Sequence, residues 1–167
     1  MHLQTERLQL REFTLNDCDF LIALLNSEGW LKFIGERNVR TIDQAKKYLK
    51  DRIIKSYKDF GFGFYLVELK DSKIPIGMCG LVKRDFLKHL DLGFAFLSQY
   101  EGYGYGFEAS KEVIQFAEEE LSHKKLLAIT DPENQKSIGL LIKLSFKFDQ
   151  LINPDKKDLN LYSLETI

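Results

Sequence analysis

Three glycines at alternate positions, Gly102, Gly104 and Gly106, stand in the stretch Glu101-Gly102-Tyr103-Gly104-Tyr105-Gly106-Phe107-Glu108, directly before a segment with helical spacing. Glycines so placed let a backbone come close to a ligand. The unpaired N–H groups and positive dipole end of the following helix then make an anion site, suited to a phosphate-bearing cofactor. Two common phosphate motifs fail on spacing: Phe107 stands where G-x-G-x-x-G needs its third glycine, and no Gly-Lys-Ser/Thr is present. On the glycines alone, a flexible turn between strand and helix stays open.

The other reactive residue types offer less. Cys79 lies in the apolar run Ile76-Gly77-Met78-Cys79-Gly80 with no histidine near in sequence, which predicts a buried structural thiol. His2, His89 and His123 are scattered singly, so no metal site is expected. Glu118-Glu119-Glu120 reads as the wet face of a helix.

The elements that must position the glycine turn follow from periodicity. Residues 3–13 alternate as one half-buried strand, flawed near Thr5. Thr14 with Asp17 predicts a capped helix carrying Phe20, Leu21, Leu24 and Leu25 until Gly29 stops it. Thr41 with Gln44 predicts a second, running through about Tyr57. Residues 62–69, 74–82 and 89–97 read as a three-strand antiparallel meander, with Lys83-Arg84-Asp85 as one of its turns. A helix then carries Ala109, Val113, Phe116 and Ala117. A strand at 125–130, a helix around Leu141 and closing strands at 146–152 and 159–164 complete the chain. The order β-α-α-β-β-β-α-β-α-β-β, without repeat or linker, predicts a mixed α/β sheet in a single domain over residues 1–167.

Composition agrees. A chain of 167 residues can bury roughly 68–70% of the surface its unfolded form exposes, and 44% hydrophobic with 29% charged residues is ordinary for a folded domain. A formal net charge of −1 argues against nucleic acid as a partner. No run of 18 apolar residues occurs, so no membrane span is expected. Charged Glu6, Arg7 and Arg11 interrupt any leader-like stretch, and Cys18 and Cys79 lack CxxC spacing, so the expected location is cytoplasmic.

The chain resembles the GNAT superfamily of acyl-CoA-dependent N-acyltransferases, in particular its RimJ/RimL-like branch, over nearly its full length. Four segments carry the resemblance: Thr5-Glu6-Arg7-Leu8-Gln9-Leu10-Arg11, Ile76-Gly77-Met78-Cys79-Gly80-Leu81, the glycine stretch to Ala109, and Asp131-Pro132-Glu133-Asn134-Gln135-Lys136-Ser137 followed by Lys143-Leu144-Ser145-Phe146. The resemblance implies a mostly antiparallel sheet with flanking helices and two splayed strands, ending near Leu97 and Thr130. It implies that the pantetheine arm of acetyl-CoA lies between them, paired with backbone groups of Phe96 and Leu97. The loop Gly102, Tyr103, Gly104, Tyr105 and Gly106 is then expected to hold the pyrophosphate, with Asn134 and Ser137 near the thioester. The implied reaction is acetyl transfer to a primary amine, either a protein N-terminus or a small molecule, by a monomer or homodimer. An alternative is a noncatalytic acyl-CoA-binding module that kept the fold.

An amine arrives mostly protonated at neutral pH, so a proton acceptor is needed. Asp91 stands where this branch often carries a Glu, and acts as base directly or through water, or is a solvated strand carboxylate. Ser137 is matched to protonation of the leaving thiolate, or is a helix cap. Trp30, Phe33 and Ile34 fall in the loop that lines the acceptor pocket in similar enzymes, or are core. Three residues depart from the pattern. Glu101 precedes the first loop glycine, where its charge repels a pyrophosphate unless it pairs with a cation such as Lys136. Ser145 replaces a glycine, and Gly139 lies inside a helix.

Overall fold

The computed structural model describes residues 2–166. Its strands are β1 His2–Gln4, β2 Leu8–Glu12, β3 Phe64–Leu69, β4 Pro75–Val82, β5 Asp91–Phe96, β6 Lys125–Thr130, β7 Lys147–Ile152 and β8 Leu159–Glu165. They form one sheet in the order β1-β2-β3-β4-β5-β6-β8-β7. Every neighbouring pair is antiparallel except β5 and β6. The mixed, mostly antiparallel sheet expected from sequence is therefore present.

Side chains alternate across a strand, and this sheet uses both faces. Tyr65, Val67, Ile76 and Leu81 turn to one side, where α5 Tyr105–Glu119 and α6 Gln135–Lys143 bring Ala109, Val113 and Leu141. Leu66 and Met78 turn to the other. There α1 Cys18–Leu25, α2 Glu28–Phe33, α3 Ile42–Tyr48, the π-helical stretch Leu49–Ile54 and α4 Lys55–Phe60 form the second layer, with Leu21, Leu24, Trp30 and Leu49 in its core. Arg11 on β2 ties the second layer down, with bidentate hydrogen bonds to Asp17 at 2.9 and 2.8 Å and a third contact to Glu68 at 3.2 Å.

Three boundaries differ from the sequence reading. The flaw near Thr5 is a tight turn, so the opening strand is a hairpin in which His2 faces Arg11. The first helix ends at Asn26, and Gly29 lies inside α2 rather than stopping α1. The second predicted helix begins at the Thr41/Gln44 capping box as expected, but passes through a π-helical stretch, Leu49–Ile54, before α4 ends at the left-handed Gly61.

Ser145 explains its own departure. It follows α6 with φ +71°, and the bonds Ser145 N–H to Ile142 O (2.9 Å) and Phe146 N–H to Leu141 O (3.0 Å) make a Schellman cap. Glycine suits that conformation at no steric cost. Ser145→Gly is expected to stabilise the protein by about 1 kcal/mol and to raise its thermal midpoint by about 2–4 °C. A calorimetric scan showing no rise would refute this.

Candidate active site

β5 and β6 share a single register pair, Asp91 with Leu127, where the Leu127 N–H donates to the Leu90 carbonyl at 2.9 Å. Past that point the parallel strands part, so the splay expected from sequence is present. Successive residues of a strand aim their backbone groups to opposite sides. The Leu97 N–H donates to Ile76 O of β4 at 2.9 Å, which leaves Leu92, Phe94 and Phe96 to turn theirs into the gap. This corrects the expectation for Leu97. Its N–H is held by Ile76 and its carbonyl accepts from Tyr100 N–H at 3.0 Å, so only Phe96 of the expected pair faces the gap.

A cavity of about 440 Å³ occupies the gap, with Leu92, Phe94 and Ala95 on one wall and Ala128, Ile129 and Thr130 on the other. Asp91, Asn134 and Ser137 all line it, so three of the residues chosen from sequence converge. The glycine stretch lies outside its lining, beyond the end of β5 and a 3-10 turn at Ser98–Tyr100.

The glycine stretch has the conformation its residues foretold. Gly102 and Gly104 adopt φ +84° and +82°, and Gly104 is the N-cap of the 15-residue α5. The first amides of α5 therefore keep their N–H groups without intrahelical partners. What the sequence did not disclose is the brace behind the loop. The Glu108 carboxylate accepts from Thr5 Oγ1, from the Arg7 N–H at 2.8 Å and from Arg7 Nε at 2.7 Å. The Arg7 guanidinium then donates to Tyr103 O at 3.0 Å and lies 4.5 Å from the Tyr105 ring centroid, while the Tyr103 and Tyr105 rings stack. Tyr103 itself is 61% exposed. The opening hairpin turn thus fixes the loop from a hundred residues away.

Glu101 takes the paired arrangement: Lys136 Nζ donates to its Oε2 at 2.6 Å, joining the loop to the start of α6. With its charge neutralised there, Glu101→Gln is expected to change acetyl-CoA affinity by less than about threefold, the scale of an exposed ion pair. A several-fold tightening at low salt that fades at high salt would show that Glu101 repels the phosphates instead. Gly139 meets no protein atom within 4 Å of an added Cβ, so internal packing gives no reason for it.

Asp91 is not a solvated carboxylate. It is 1% exposed, and Arg84 Nε donates to its Oδ1 at 3.0 Å. Burial pushes its carboxyl up to about 6, against the opposing pull of the Arg84 charge and hydrogen bond. It is thus ionised at neutral pH yet basic enough to take a proton. Arg84 had been read only as part of a polar turn. Seven residues of sequence separate it from Asp91, and only the folded turn reveals the pair. At the cavity's other wall, Asn134 Oδ1 accepts from the Ser137 N–H at 3.2 Å and is the N-cap of α6. Asn134, not Ser137, is therefore the cap, and the Ser137 hydroxyl is left to the cavity it lines. Cys79 is fully buried against Ser110, and burial raises its thiol to about 12, which makes it the inert structural thiol expected.

The far end of the cavity is formed by α2, the π-helical stretch and the loop between β7 and β8. Trp30, Phe33 and Ile34 line it from a helix, not from a loop. Lys157 Nζ donates to Phe33 O at 2.8 Å and so straps the β7–β8 loop to α2. In that loop Asp155 and Lys156 hold φ of +51° and +62°, a conformation costly for side-chain-bearing residues. No group of histidine, cysteine or carboxylate side chains suited to a metal ion occurs among the described residues. No helix among them is long and apolar enough to cross a membrane.

Comparison with known proteins supplies the context for this geometry. The family model described as acetyltransferase (GNAT) domain matches residues 7–147. The "Uncharacterized N-acetyltransferase YnaD" of Bacillus subtilis (strain 168) is 26% identical over 147 residues, covering 88% of this chain and 83% of its own. Among solved structures, an acetyltransferase from Agrobacterium tumefaciens str. C58 superposes with a TM-score of 0.84 at 24% identity, over 99% of this chain and 95% of that one. RimL, a ribosomal L7/L12 α-N-protein acetyltransferase solved with coenzyme A, has the same TM-score at 14% identity, over 99% and 98%.

Proposed function

Because the chain belongs to the GNAT acetyltransferase family, we propose that it moves an acetyl group from acetyl-CoA to a primary amine, in the manner of the RimJ/RimL-like branch. The observation that carries this reading is the convergence in one gap of a buried carboxylate, Asp91, with the cleft-facing backbone of Leu92, Phe94 and Phe96. The gap ends at the braced loop of Gly102 and Gly104.

The residues present fit acetyl-CoA. Unpaired strand edges can take up a pantetheine amide chain, and the α5 amides behind left-handed glycines can hold a pyrophosphate, with Tyr103, Tyr105 and Gly106 shaping the loop. Bound there, acetyl-CoA supplies the acyl group as an activated thioester. The protein's own work is proton handling and charge stabilisation. Arg84 occupies Oδ1 of Asp91, leaving Oδ2 to accept a proton from the incoming ammonium, through water where the shorter Asp side chain falls short. A cleft-facing N–H of Leu92 or Phe94 meets the negative charge that develops on the acyl oxygen. The nitrogen of the adduct gives up its second proton as the C–S bond breaks, and the Ser137 hydroxyl would relay it, passing its own proton to the departing sulfur as it takes that one, while Asn134 holds the helix start that presents it.

The acceptor is a protein N-terminal α-amine, as the name of the RimL neighbour says of that enzyme, or a small amine. Thiol release from acetyl-CoA in the presence of a panel of amines and N-terminal peptides tests the reading. Amine-dependent release with an N-acetylated product is expected. Acetyl-CoA binding without such release for any amine would leave a noncatalytic acyl-CoA-binding domain.

A further inference from the structure

We propose that the acceptor carries a carboxylate beside its amine, and that Arg37 and Arg52 at the cavity mouth recognise it. This rests on the acetyltransferase reading above and names the substrate class for that site. Both arginines line the cavity that reaches Asp91, and both side chains are exposed at its rim. Each guanidinium lies over an aromatic ring: Arg37 is 5.9 Å from the Trp30 ring centroid, and Arg52 is 5.7 Å from that of Tyr48. A guanidinium held over a ring keeps N–H groups that can donate to a carboxylate, and the planar fork of arginine suits bidentate binding of one.

Several other charged groups of the cavity are already committed. Arg84 holds Asp91, the Lys157 ammonium holds the Phe33 carbonyl, and Asp131 accepts from the Glu133 N–H. Neither Arg37 nor Arg52 has a carboxylate partner among the described residues, although their neighbours do: Glu36 pairs with Arg40 and Asp51 with Lys47. Glu36 and Asp51 thus each turn to a different cation and leave the two mouth arginines without an ion pair among the described residues. Asp155 on the opposite loop is one carboxylate against two guanidiniums.

Two further observations fall at the same place. The Trp30 indole N–H is buried, with no hydrogen-bond partner among the described residues, and the ring beneath Arg37 is thus incompletely satisfied in the free protein. Arg52 stands in the π-helical stretch Leu49–Ile54, a conformation that is rare and concentrates at functional sites. Tyr48, Arg52 and Ser56 all reach the cavity.

The shared chemistry fits two sources, a small amino acid-like amine or an acidic N-terminal peptide, and the experiment separates them. Acetylation is measured for peptides with Asp-Asp, Asn-Asn or Lys-Lys after a common first residue, and for a carboxylate-bearing small amine beside its amide. Acidic acceptors are expected to exceed their neutral counterparts in kcat/KM by about tenfold, through KM, with the preference shrinking at high salt. In Arg37→Gln/Arg52→Gln the ratio falls toward one, while Arg37→Lys/Arg52→Lys keeps part of it because charge survives and the fork does not. Equal thermal midpoints check that these surface changes leave the fold intact.

Trp30 is the single tryptophan of the chain and reports binding independently of turnover. With coenzyme A present, the acidic peptide or amine is expected to change its fluorescence saturably, with an affinity that the Gln pair loses. That result without acetyl transfer to any amine would uphold carboxylate recognition while removing the acetyltransferase reading. Equal rates and equal binding for acidic and neutral acceptors, or an acidic preference undiminished in the Gln pair, would overturn the proposal.

Discussion

Gly104→Val is expected to give a folded protein whose thermal midpoint no longer rises with acetyl-CoA. A ligand that binds only the folded state at a hundred times its dissociation constant adds about 2.7 kcal/mol, which for a chain of this length is a shift of several degrees. In the proposed site the valine branch stands where the backbone would approach the phosphates, and its Cβ begins 3.4 Å from the Arg7 guanidinium that braces the loop. The substitution has a second effect of known sign. Gly104 holds φ +82°, so valine there also costs about 1–2 kcal/mol of backbone strain in the free protein. The midpoint without ligand reads that strain, and the ligand-dependent difference reads the loop. A full acetyl-CoA shift on top of a lowered starting midpoint would remove the loop from the cofactor site.

Asp91→Asn is expected to lower turnover by about 10²–10⁴-fold at neutral pH while acetyl-CoA affinity stays within about twofold, because the amide cannot take a proton. Asp91 titrates near 6, so the wild-type rate itself falls below that pH, and the gap between the two enzymes narrows on the acid side. Stability moves the other way. The carboxyl of Asp91 is raised in the fold above its unfolded value near 4, so between about pH 4 and 6 the native state binds the extra proton. Wild type therefore loses stability from this group as pH rises through that window, and Asp91→Asn does not. The stability difference, variant minus wild type, is expected to grow more positive from pH 4 to 7 and then level off. Wild-type turnover at every pH would reduce Asp91 to a partner for Arg84, and a stability difference that shrank with pH would contradict the raised carboxyl.

Much of this architecture could be read from the residues because local signals and global packing agree there. The capping pairs Thr14/Asp17 and Thr41/Gln44, the apolar strands from Phe64 to Phe96 with polar turns between them, and the glycines before α5 each state their structure within a few positions. The Thr5 hairpin was visible only as a flaw, because a two-strand ribbon and one imperfect strand have the same alternation. Gly29 misled because a helix-breaking residue was weighed without Ser27, whose extended φ/ψ begins α2 one residue before Glu28. The site divides in the same way. Asp91, Asn134 and Ser137 converge as expected, since strand ends and helix starts around a splay bring them to one gap. Arg84 and the Arg7 brace were not legible, because their partners lie across a turn or at the other end of the chain. The backbone N–H of Leu97 turns away from the gap for a reason no side chain records, namely which side of β5 it takes.

The single pairing of β5 with β6 divides the sheet into two blades, β1–β5 and β6–β8, joined like the arms of a compass at Asp91 and Leu127. Opening or closing such a compass moves the tips, near Phe96 and Thr130, by the full sweep, while points at the pivot keep their separation. Asp91 sits on the pivot. The residue proposed as proton acceptor is therefore tied to both blades at their shared pair. The parted tips leave room for a long chain between them, so the proposed cofactor would enter where the strands separate and the proposed proton acceptor stands where they are joined.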